Sequence, residues 1–161
     1  MEKQFLIRPA QPADADELMR LIRALADYEK LSDMCIGTPK MLREALFGAR
    51  RSCEALMAER NGRSVGFALY FSTFSTFLCK PGLYLEDLFV EPAERGLGIG
   101  KALLRALATL AIERDCGRFE WRVLDWNEPS INFYKSLGAT IMPEWELVRM
   151  TRPEIESLAK R

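Results

Sequence analysis

Three glycines spaced two residues apart, Gly96, Gly98 and Gly100, have the type and spacing of an anion-binding loop. Because glycine lacks a Cβ atom, the backbone can turn sharply there and bring consecutive N–H groups close to a ligand. Leucines at helical spacing follow, so these N–H groups fall in the unpaired first turn of a helix, whose dipole adds partial positive charge. The sequence therefore predicts an anion cradle.

Two familiar nucleotide loops do not fit this stretch. A Walker A loop needs a hydroxyl after its lysine, and Lys101 is followed by Ala102. A dinucleotide loop needs a third glycine where Leu103 stands, within a βαβ unit that the surrounding pattern lacks. What remains is the pattern R-x-x-G-x-G, which begins at Arg95.

Two neighbouring carboxylates, Glu86 and Asp87, lie in an otherwise apolar run just before the glycine loop. Charge is seldom placed among apolar residues without a partner or a task. Because successive strand residues point to opposite faces, the two can share a face only if the strand is bulged. The alternative interpretation is two carboxylates at a frayed strand edge.

Composition excludes several kinds of chemistry. The chain has 161 residues and no histidine, so Ser-His-Asp and Cys-His catalysis are excluded, and an acid or base must be Asp, Glu, Lys, Tyr or Cys. The four cysteines are far apart, so we expect no metal site. Basic and acidic residues balance at 23 each, which gives no general case for nucleic acid or a membrane as partner. No signal peptide or membrane-spanning run is evident, and we expect a cytoplasmic protein.

The elements that must position these residues follow from the apolar periodicity and the turn signals. Asp14 and Glu17 suggest a capping box, Thr38 before Pro39 a helix start, and Asn61-Gly62 a hairpin turn. The predicted strands are 5–8, 53–59, 65–73, 83–90, 119–124, a segment at Ile141, and 146–150. The predicted helices are 15–29, one starting at Thr38, one from the glycine loop to Arg114, one from Pro129 to Leu137, and 153–160. This order predicts one α/β (α+β) domain over residues 1–161.

Three separated motifs carry a family resemblance. They are L-Y-L-E-D-L-F-V from Leu83, R-G-L-G-I-G from Arg95, and W-N-E-P-S-I-N-F-Y-K from Trp126. In this order they resemble the GNAT superfamily of acyl-CoA-dependent N-acetyltransferases. The longer strings are similar to its spermidine/spermine acetyltransferase branch and that branch's bacterial relatives, which acetylate polyamines, thialysine or similar small amines. The resemblance begins near Ile7 and extends past Trp145.

The resemblance implies a GNAT fold, with a mixed central sheet of about six to seven strands, helices on both faces, and a splay between the fourth and fifth strands. It implies direct transfer of acetyl from acetyl-CoA to a primary amine of a small molecule in a ternary complex, without a metal, by a homodimer. Two alternatives stay open. One is a non-catalytic acyl-CoA-binding sensor, and the other is a GNAT enzyme that acts on a peptide or protein amine.

The reaction has two chemical needs. An alkyl ammonium with a pKa of roughly 10.4 is protonated at neutral pH, and supplying its neutral form costs about 4 kcal/mol over three pKa units. Glu86 is the best candidate for the base, and the resemblance implies that it acts through a water. The departing thiolate needs a proton, which Tyr134 can donate because an ordinary phenol is protonated at neutral pH. Its position in N-F-Y-K matches the tyrosine that the family uses.

The resemblance also implies the binding residues. The fourth strand's backbone would pair with the pantetheine arm and polarise the thioester carbonyl. The predicted cofactor-binding residues are Leu88, Phe89, Val90, Arg95, Gly96, Leu97, Gly98, Ile99, Gly100, Lys101, Asn127, Ser130, Tyr134 and Lys135. The predicted substrate-binding residues are Tyr28, Glu29, Glu86, Asp87, Glu144 and Trp145.

The loop before the fourth strand departs from the polyamine-specific relatives. They carry Asp-Pro-Trp there, and this chain has Ser75-Thr76-Phe77-Leu78, which lacks the carboxylate that would grip a cationic tail. The remaining acidic and aromatic residues still suit ammonium recognition. The acceptor therefore stays open among a diamine, a polyamine, thialysine or another amino compound.

Overall fold

A computed structural model describes residues 5–160, which form two compact units that meet in sequence at Arg122 and Val123. The elements of the first unit are β1 (Leu6–Pro9), α1 (Ala15–Tyr28), α2 (Pro39–Phe47), β2 (Glu54–Arg60), β3 (Arg63–Ser75), β4 (Lys80–Val90), α3 (Ile99–Glu113) and β5 (Arg118–Trp121). The second unit contains α4 (Glu128–Ser136) and α5 (Arg152–Ala159). No helix within residues 5–160 combines the length and the apolar content needed to cross a membrane.

The sheet of the first unit is mixed, and its strands lie in the order β1-β2-β3-β4-β5. The first three pairings are antiparallel and follow short connections, whereas β4 and β5 are parallel. A parallel pair needs a crossover connection, which α3 provides. The glycine loop lies near the start of that crossover, after the short turn that follows β4.

Within residues 5–160 the sheet has five strands, slightly fewer than the six to seven expected. The segments at Ile141 and 146–150 were predicted as strands from their apolar pattern, and neither forms a strand in the described chain. Alternation makes a segment suitable for a strand, but a ladder also needs a neighbour that offers its N–H and C=O groups.

Helices cover both faces of the sheet. On one face, leucines of α1 pack against strand residues whose side chains share a direction; this cluster contains Leu18, Leu21, Leu25, Met57, Phe67, Leu69 and Phe89. Alternate residues on the same strands, such as Leu56 and Ala68, point to the other face and are also buried. Leu103 and Leu107 of α3, a helix that contacts these strands, are buried as well. Both faces are therefore apolar, and the central strands read as nearly continuous apolar runs.

Local signals set several boundaries. The Oγ1 of Thr38 accepts a hydrogen bond from the Met41 N–H at 3.2 Å, which confirms the predicted start of α2. Asn61 and Gly62 have φ of 52° and 75°, the left-handed pair that a tight hairpin requires. The predicted capping box of Asp14 with Glu17 is wrong, because the Asp14 carboxylate instead accepts hydrogen bonds from the Gln11 N–H and the Arg8 guanidinium.

The ladder between β4 and β5 is short. It joins Gly82–Leu85 to Arg118–Trp121 and ends there, while residues 87–90 of β4 pair with β3 alone in the described chain. This is the splay predicted between the fourth and fifth strands. It leaves one backbone edge of β4 without a strand partner beside the glycine loop.

Candidate active site

A β-bulge lies at Glu86 in β4. Asp87 is paired with Leu69 and Leu85 with Tyr70, so Glu86 is the extra residue between two successive partners. A bulge interrupts the alternation of side-chain directions, which is the condition under which Glu86 and Asp87 can face the same side. The Glu86 side chain is exposed, and Asp87 is more buried.

Around this bulge, two neighbouring carboxylates affect the pKa of a third, Asp87. Burial, together with the negative charges of Glu86 and Glu29, raises the pKa of Asp87 to about 6. Glu29 directly follows α1, and burial raises the pKa of its carboxyl group as well. Asp87, Glu29 and Glu86 therefore form an acidic cluster whose ionised state an ammonium ion would stabilise.

Arg95 folds back over the end of β4. Its guanidinium carbon lies 4.7 Å from the centroid of the Tyr28 ring and 5.8 Å from that of Phe89. Its Nε donates a hydrogen bond to the Val90 carbonyl at 2.9 Å. The structure thus brings four predicted binding residues, Arg95, Tyr28, Phe89 and Val90, into contact at the mouth of the glycine loop. The predicted contact between Arg95 and a phosphate stays a prediction.

The glycine loop has the geometry of a cradle. Gly96 and Gly98 have φ of 81° and 83°, a region that glycine alone adopts without strain. A Cβ atom built on either residue would meet nothing within 4 Å, so the space that a ligand needs is open. Gly98 is the N-cap of α3, and the first bond of the helix runs from the Ala102 N–H to the Gly98 carbonyl at 2.9 Å.

That helix start leaves amides for a ligand. The N–H groups of Ile99, Gly100 and Lys101 precede the first intrahelical bond and have no acceptor within the helix. The Ile99 side chain is only 1% exposed and anchors α3 in the core, so its contribution to a ligand is its backbone. The Lys101 side chain is exposed at the same turn. These groups fit a diphosphate.

Tyr134 and its neighbours lie on α4 in the second unit. Tyr134 is 8% exposed and packs against the Phe133 ring, with a distance of 5.6 Å between the centroids. Asn127 is the N-cap of α4, and its Oδ1 accepts a hydrogen bond from the Ser130 N–H at 3.4 Å. Asn127 therefore has a structural role at the helix start. Lys135 is exposed.

The other two predicted substrate residues, Glu144 and Trp145, lie between α4 and α5. Both are exposed, and 73% of Trp145 is accessible. They belong to the second unit, whereas the acidic cluster and Tyr28 belong to the first. No group of three or more His, Cys, Asp or Glu side chains within residues 5–160 is arranged to hold a metal ion.

Sequence reasoning missed the contact between Tyr28 and Arg95. Each residue was predicted to bind a different ligand, and no local pattern links the end of α1 to the loop after β4. The signal is tertiary, because it depends on α1 packing across the face of the sheet that carries Phe89.

Comparison with known proteins identifies the family. Residues 20–139 match the model of the Acetyltransferase (GNAT) family, and the chain belongs to this family. It is 36% identical to a thialysine N-epsilon-acetyltransferase from Sus scrofa, with 96% of each chain covered. It is 29% identical to an L-ornithine N5-acetyltransferase from Arabidopsis thaliana, with 96% of this chain and 87% of that protein covered.

A solved structure has the same architecture over nearly the whole length. It is an integron cassette protein from the mobile metagenome of V. cholerae, with a TM-score of 0.83, 28% identity, and coverage of 98% of this chain and 99% of that chain. The predicted GNAT fold and the predicted small-amine N-acetyltransferase class are confirmed. Members of this family use acetyl-CoA as co-substrate.

Proposed function

We propose that this protein transfers acetyl from acetyl-CoA to a primary amine of a small molecule that carries a second cationic group. The observation that carries the proposal is the bulge at Glu86, because it groups Glu86 with Asp87 and Glu29 next to the open edge of β4. The acidic cluster can bind an ammonium ion, and the backbone edge and the anion cradle beside it can bind an acyl-CoA.

In the proposed reaction, Asp87 and Glu29 hold the cationic acceptor, and Glu86 accepts a proton from its ammonium through a water. The neutral amine then attacks the thioester carbonyl, whose developing charge is stabilised by a backbone N–H of β4. The N–C bond forms and the C–S bond breaks. As the tetrahedral intermediate collapses, its nitrogen loses a second proton to solvent and Tyr134 donates its phenolic proton to the departing thiolate. The proton held by Glu86 then returns through solvent to the Tyr134 phenolate, so one proton is released overall. The transfer is direct, without a covalent enzyme intermediate.

The cofactor residues follow the same scheme. The amides of residues 96–101 hold the diphosphate, with positive charge from Arg95, Lys101 and Lys135. The unpaired edge at Leu88, Phe89 and Val90 binds the pantetheine amides. Asn127 and Ser130 contact the arm near its thioester end. Exposed Glu144 and Trp145 complete the acceptor pocket, and the reaction needs no metal.

The acceptor we favour is a diamino acid or a short diamine. Two relatives are a thialysine and an L-ornithine acetyltransferase, whose named acceptors are both amino acids with a second amino group. The turn between β3 and β4 carries Thr76 and Phe77, and 96% of Phe77 is exposed, so this turn offers no carboxylate to the far end of a polyamine.

We further propose that the two units form one GNAT domain and that the chain acts as a homodimer. The family match over residues 20–139 crosses the boundary between the units, which supports the single domain. Exposed apolar side chains in the segment 141–150 support an interface; they are Ile141, Met142, Trp145, Leu147, Val148 and Met150. Nucleic acid and membranes are not among the proposed partners.

An acceptor panel tests the proposal. The purified protein is mixed with acetyl-CoA and, in turn, thialysine, ornithine, lysine, short diamines, spermidine and a peptide N-terminus, and release of free thiol is followed. We expect the highest kcat/KM for a diamino acid or short diamine. Binding of CoA without turnover on any amine would favour the sensor, and turnover confined to peptides would favour the protein-directed alternative.

A further inference from the structure

Two glutamates flank the short turn that joins β4 to the glycine loop. Glu91 follows the last residue of β4, and Glu94 ends the turn of 3-10 helix at Pro92–Glu94, directly before Arg95. Their side chains are only 14% and 15% exposed. Neither residue belongs to the acidic cluster or to the predicted binding residues.

Glu91 is held from two directions. Arg20 of α1 donates from Nη1 to its Oε1 at 2.7 Å, and Arg63 of β3 donates from Nη2 to its Oε2 at 2.6 Å. The Arg63 Nη1 also reaches Oε1 at 3.3 Å, so the Arg63 contact is bidentate. The Glu91 N–H donates to the Val65 carbonyl at 2.9 Å. Arg63 is itself exposed, but the Glu91 carboxylate is largely buried and accepts charge-assisted hydrogen bonds from two arginines, which fixes its position.

Glu94 is tied to the same hairpin. Arg60, at the end of β2, donates from Nη1 to the Glu94 Oε2 at 2.7 Å, and Nη2 of Arg63 lies 3.8 Å from its Oε1. Arg60 and Arg63 flank the tight turn at Asn61-Gly62. The turn before the glycine loop is thus attached to a rigid hairpin through two carboxylates and to α1 through one.

We infer that Glu91 and Glu94 are positioning residues for the cofactor: they hold the turn at residues 91–95 so that the amides of Gly96–Lys101 converge on the diphosphate. This inference rests on the proposed function of the glycine loop and goes beyond it. Gly96 and Gly98 have no side chains that could pack the loop in place, so its direction must be fixed from its ends. Ile99 anchors the far end in the core, and the two glutamates anchor the near end.

The test compares Glu91→Gln and Glu94→Gln with a matched control. Glutamine keeps the shape of each side chain and removes the charge. The control is Glu54→Gln, which breaks another bidentate pair, with Arg114 at 2.7 and 2.8 Å, between β2 and the end of α3. Thermal melts of all variants identify any general loss of stability.

Titration calorimetry with CoA gives the main readout, since it needs no amine. We expect each loop variant to raise the Kd for CoA roughly three- to tenfold, on the scale of the net contribution of one hydrogen bond, and the double variant to raise it more. Glu54→Gln should bind within about twofold of wild type. In turnover, the KM for acetyl-CoA should rise while kcat at saturating acetyl-CoA and the KM for the amine stay close to wild type.

Hydrogen exchange keeps the inference testable if CoA binding itself fails. We expect the amides of residues 96–101 to exchange faster in both loop variants of the ligand-free protein, and at the wild-type rate in Glu54→Gln. A wild-type protein that does not bind CoA would overturn the proposed function and, with it, the part of the inference that concerns the cofactor; the exchange rates would then decide only whether Glu91 and Glu94 hold the loop. Wild-type exchange and wild-type CoA affinity in both loop variants would overturn the inference alone. If Glu91→Gln does not fold, Glu94→Gln carries the same comparison.

Discussion

Removal of one oxygen from Tyr134 separates its chemical role from its packing role. Tyr134→Phe keeps the ring that lies against Phe133 and removes the proposed proton donor. We expect kcat to fall by about 10² or more, because a positioned general acid contributes that order of rate, while the melting temperature changes little. Steady-state assays with the preferred amine measure the effect.

Tyr70→Phe is the matched control. Tyr70 is equally buried, at 4% exposed, and its hydroxyl lies 3.5 Å from a Glu54 carboxylate oxygen within the sheet. We expect full activity in this variant because Tyr70 has no role in the proposed reaction. Full turnover by Tyr134→Phe would remove the acid assignment.

Asp87 connects the acidic cluster to stability. Its pKa is raised from 3.8 to about 6 by burial and then by the charges of Glu86 and Glu29, so the folded state holds this proton more tightly than the unfolded state. The contribution of Asp87 to the free energy of unfolding therefore falls as the pH rises from about 4 to about 6. Above about pH 6 the cost of ionising this buried carboxyl group is fully present. Asp87→Asn should remove that cost.

We expect Asp87→Asn to raise the free energy of unfolding by about 2–3 kcal/mol near pH 7 and by well under about 1 kcal/mol near pH 4. Urea unfolding at both pH values measures the difference, and Asp115→Asn, an exposed aspartate paired with Lys80, is the control. The same Asp87 variant should bind the cationic acceptor more weakly. A stability gain that is the same at both pH values would contradict the raised pKa.

At the scale of elements, local chemistry predicts helix starts and tight turns well. Thr38 before Pro39 and Asn61 before Gly62 each act through neighbours a few residues away, so their structures follow from sequence. The prediction failed at Asp14 because its carboxylate accepts hydrogen bonds from groups that precede it, the Arg8 side chain and the Gln11 N–H, and not from the helix that follows. The bulge at Glu86 depends on the register between β3 and β4. From sequence we could say only that Glu86 and Asp87 share a face if the strand is bulged.

The glycine loop gives a prediction at this scale. Gly98→Ala places a Cβ on a residue at φ 83°, where no neighbour lies within 4 Å, so its cost to folding is only the left-handed strain of about 1–2 kcal/mol. In the cofactor-bound state that Cβ would occupy the space proposed for the diphosphate. We expect the Kd for CoA to rise about tenfold or more, measured by calorimetry.

Gly62→Ala is its control, since Gly62 has φ of 75° and equally open surroundings in the β2–β3 hairpin. It should lose similar stability and keep the wild-type affinity for CoA. Equal effects of the two variants on CoA binding would mean that the loss follows from backbone strain and that the loop is no cradle.

For the molecule as a whole, the sequence could nominate residues for the candidate site but could not say how they contact one another. Glu86, Asp87 and the glycine loop could be found from sequence because charge in an apolar run and alternate glycines are local signals. The contact of Arg95 with Tyr28 and the ion pairs of Glu91 depend on α1 packing against the sheet. The segment 146–150 has the pattern of a strand but lacks a ladder in the described chain.

That segment gives the prediction for assembly. Val148 is 89% exposed within an apolar stretch, and we expect Val148→Asp to shift the proposed dimer toward monomer in sedimentation equilibrium. Ile112→Asp is the control, because Ile112 is 81% exposed on α3, away from this stretch in sequence. A wild-type chain that is monomeric at high concentration would contradict the dimer.

A crystal structure with bound CoA tests the central claim most directly. The account predicts that the diphosphate lies within hydrogen-bond distance of the backbone amides of residues 96–101, that the pantetheine arm pairs with β4 at Leu88–Val90, and that the sulfur lies within hydrogen-bond reach of the Tyr134 hydroxyl. A diphosphate bound elsewhere, or a sulfur out of reach of the phenol, would contradict it.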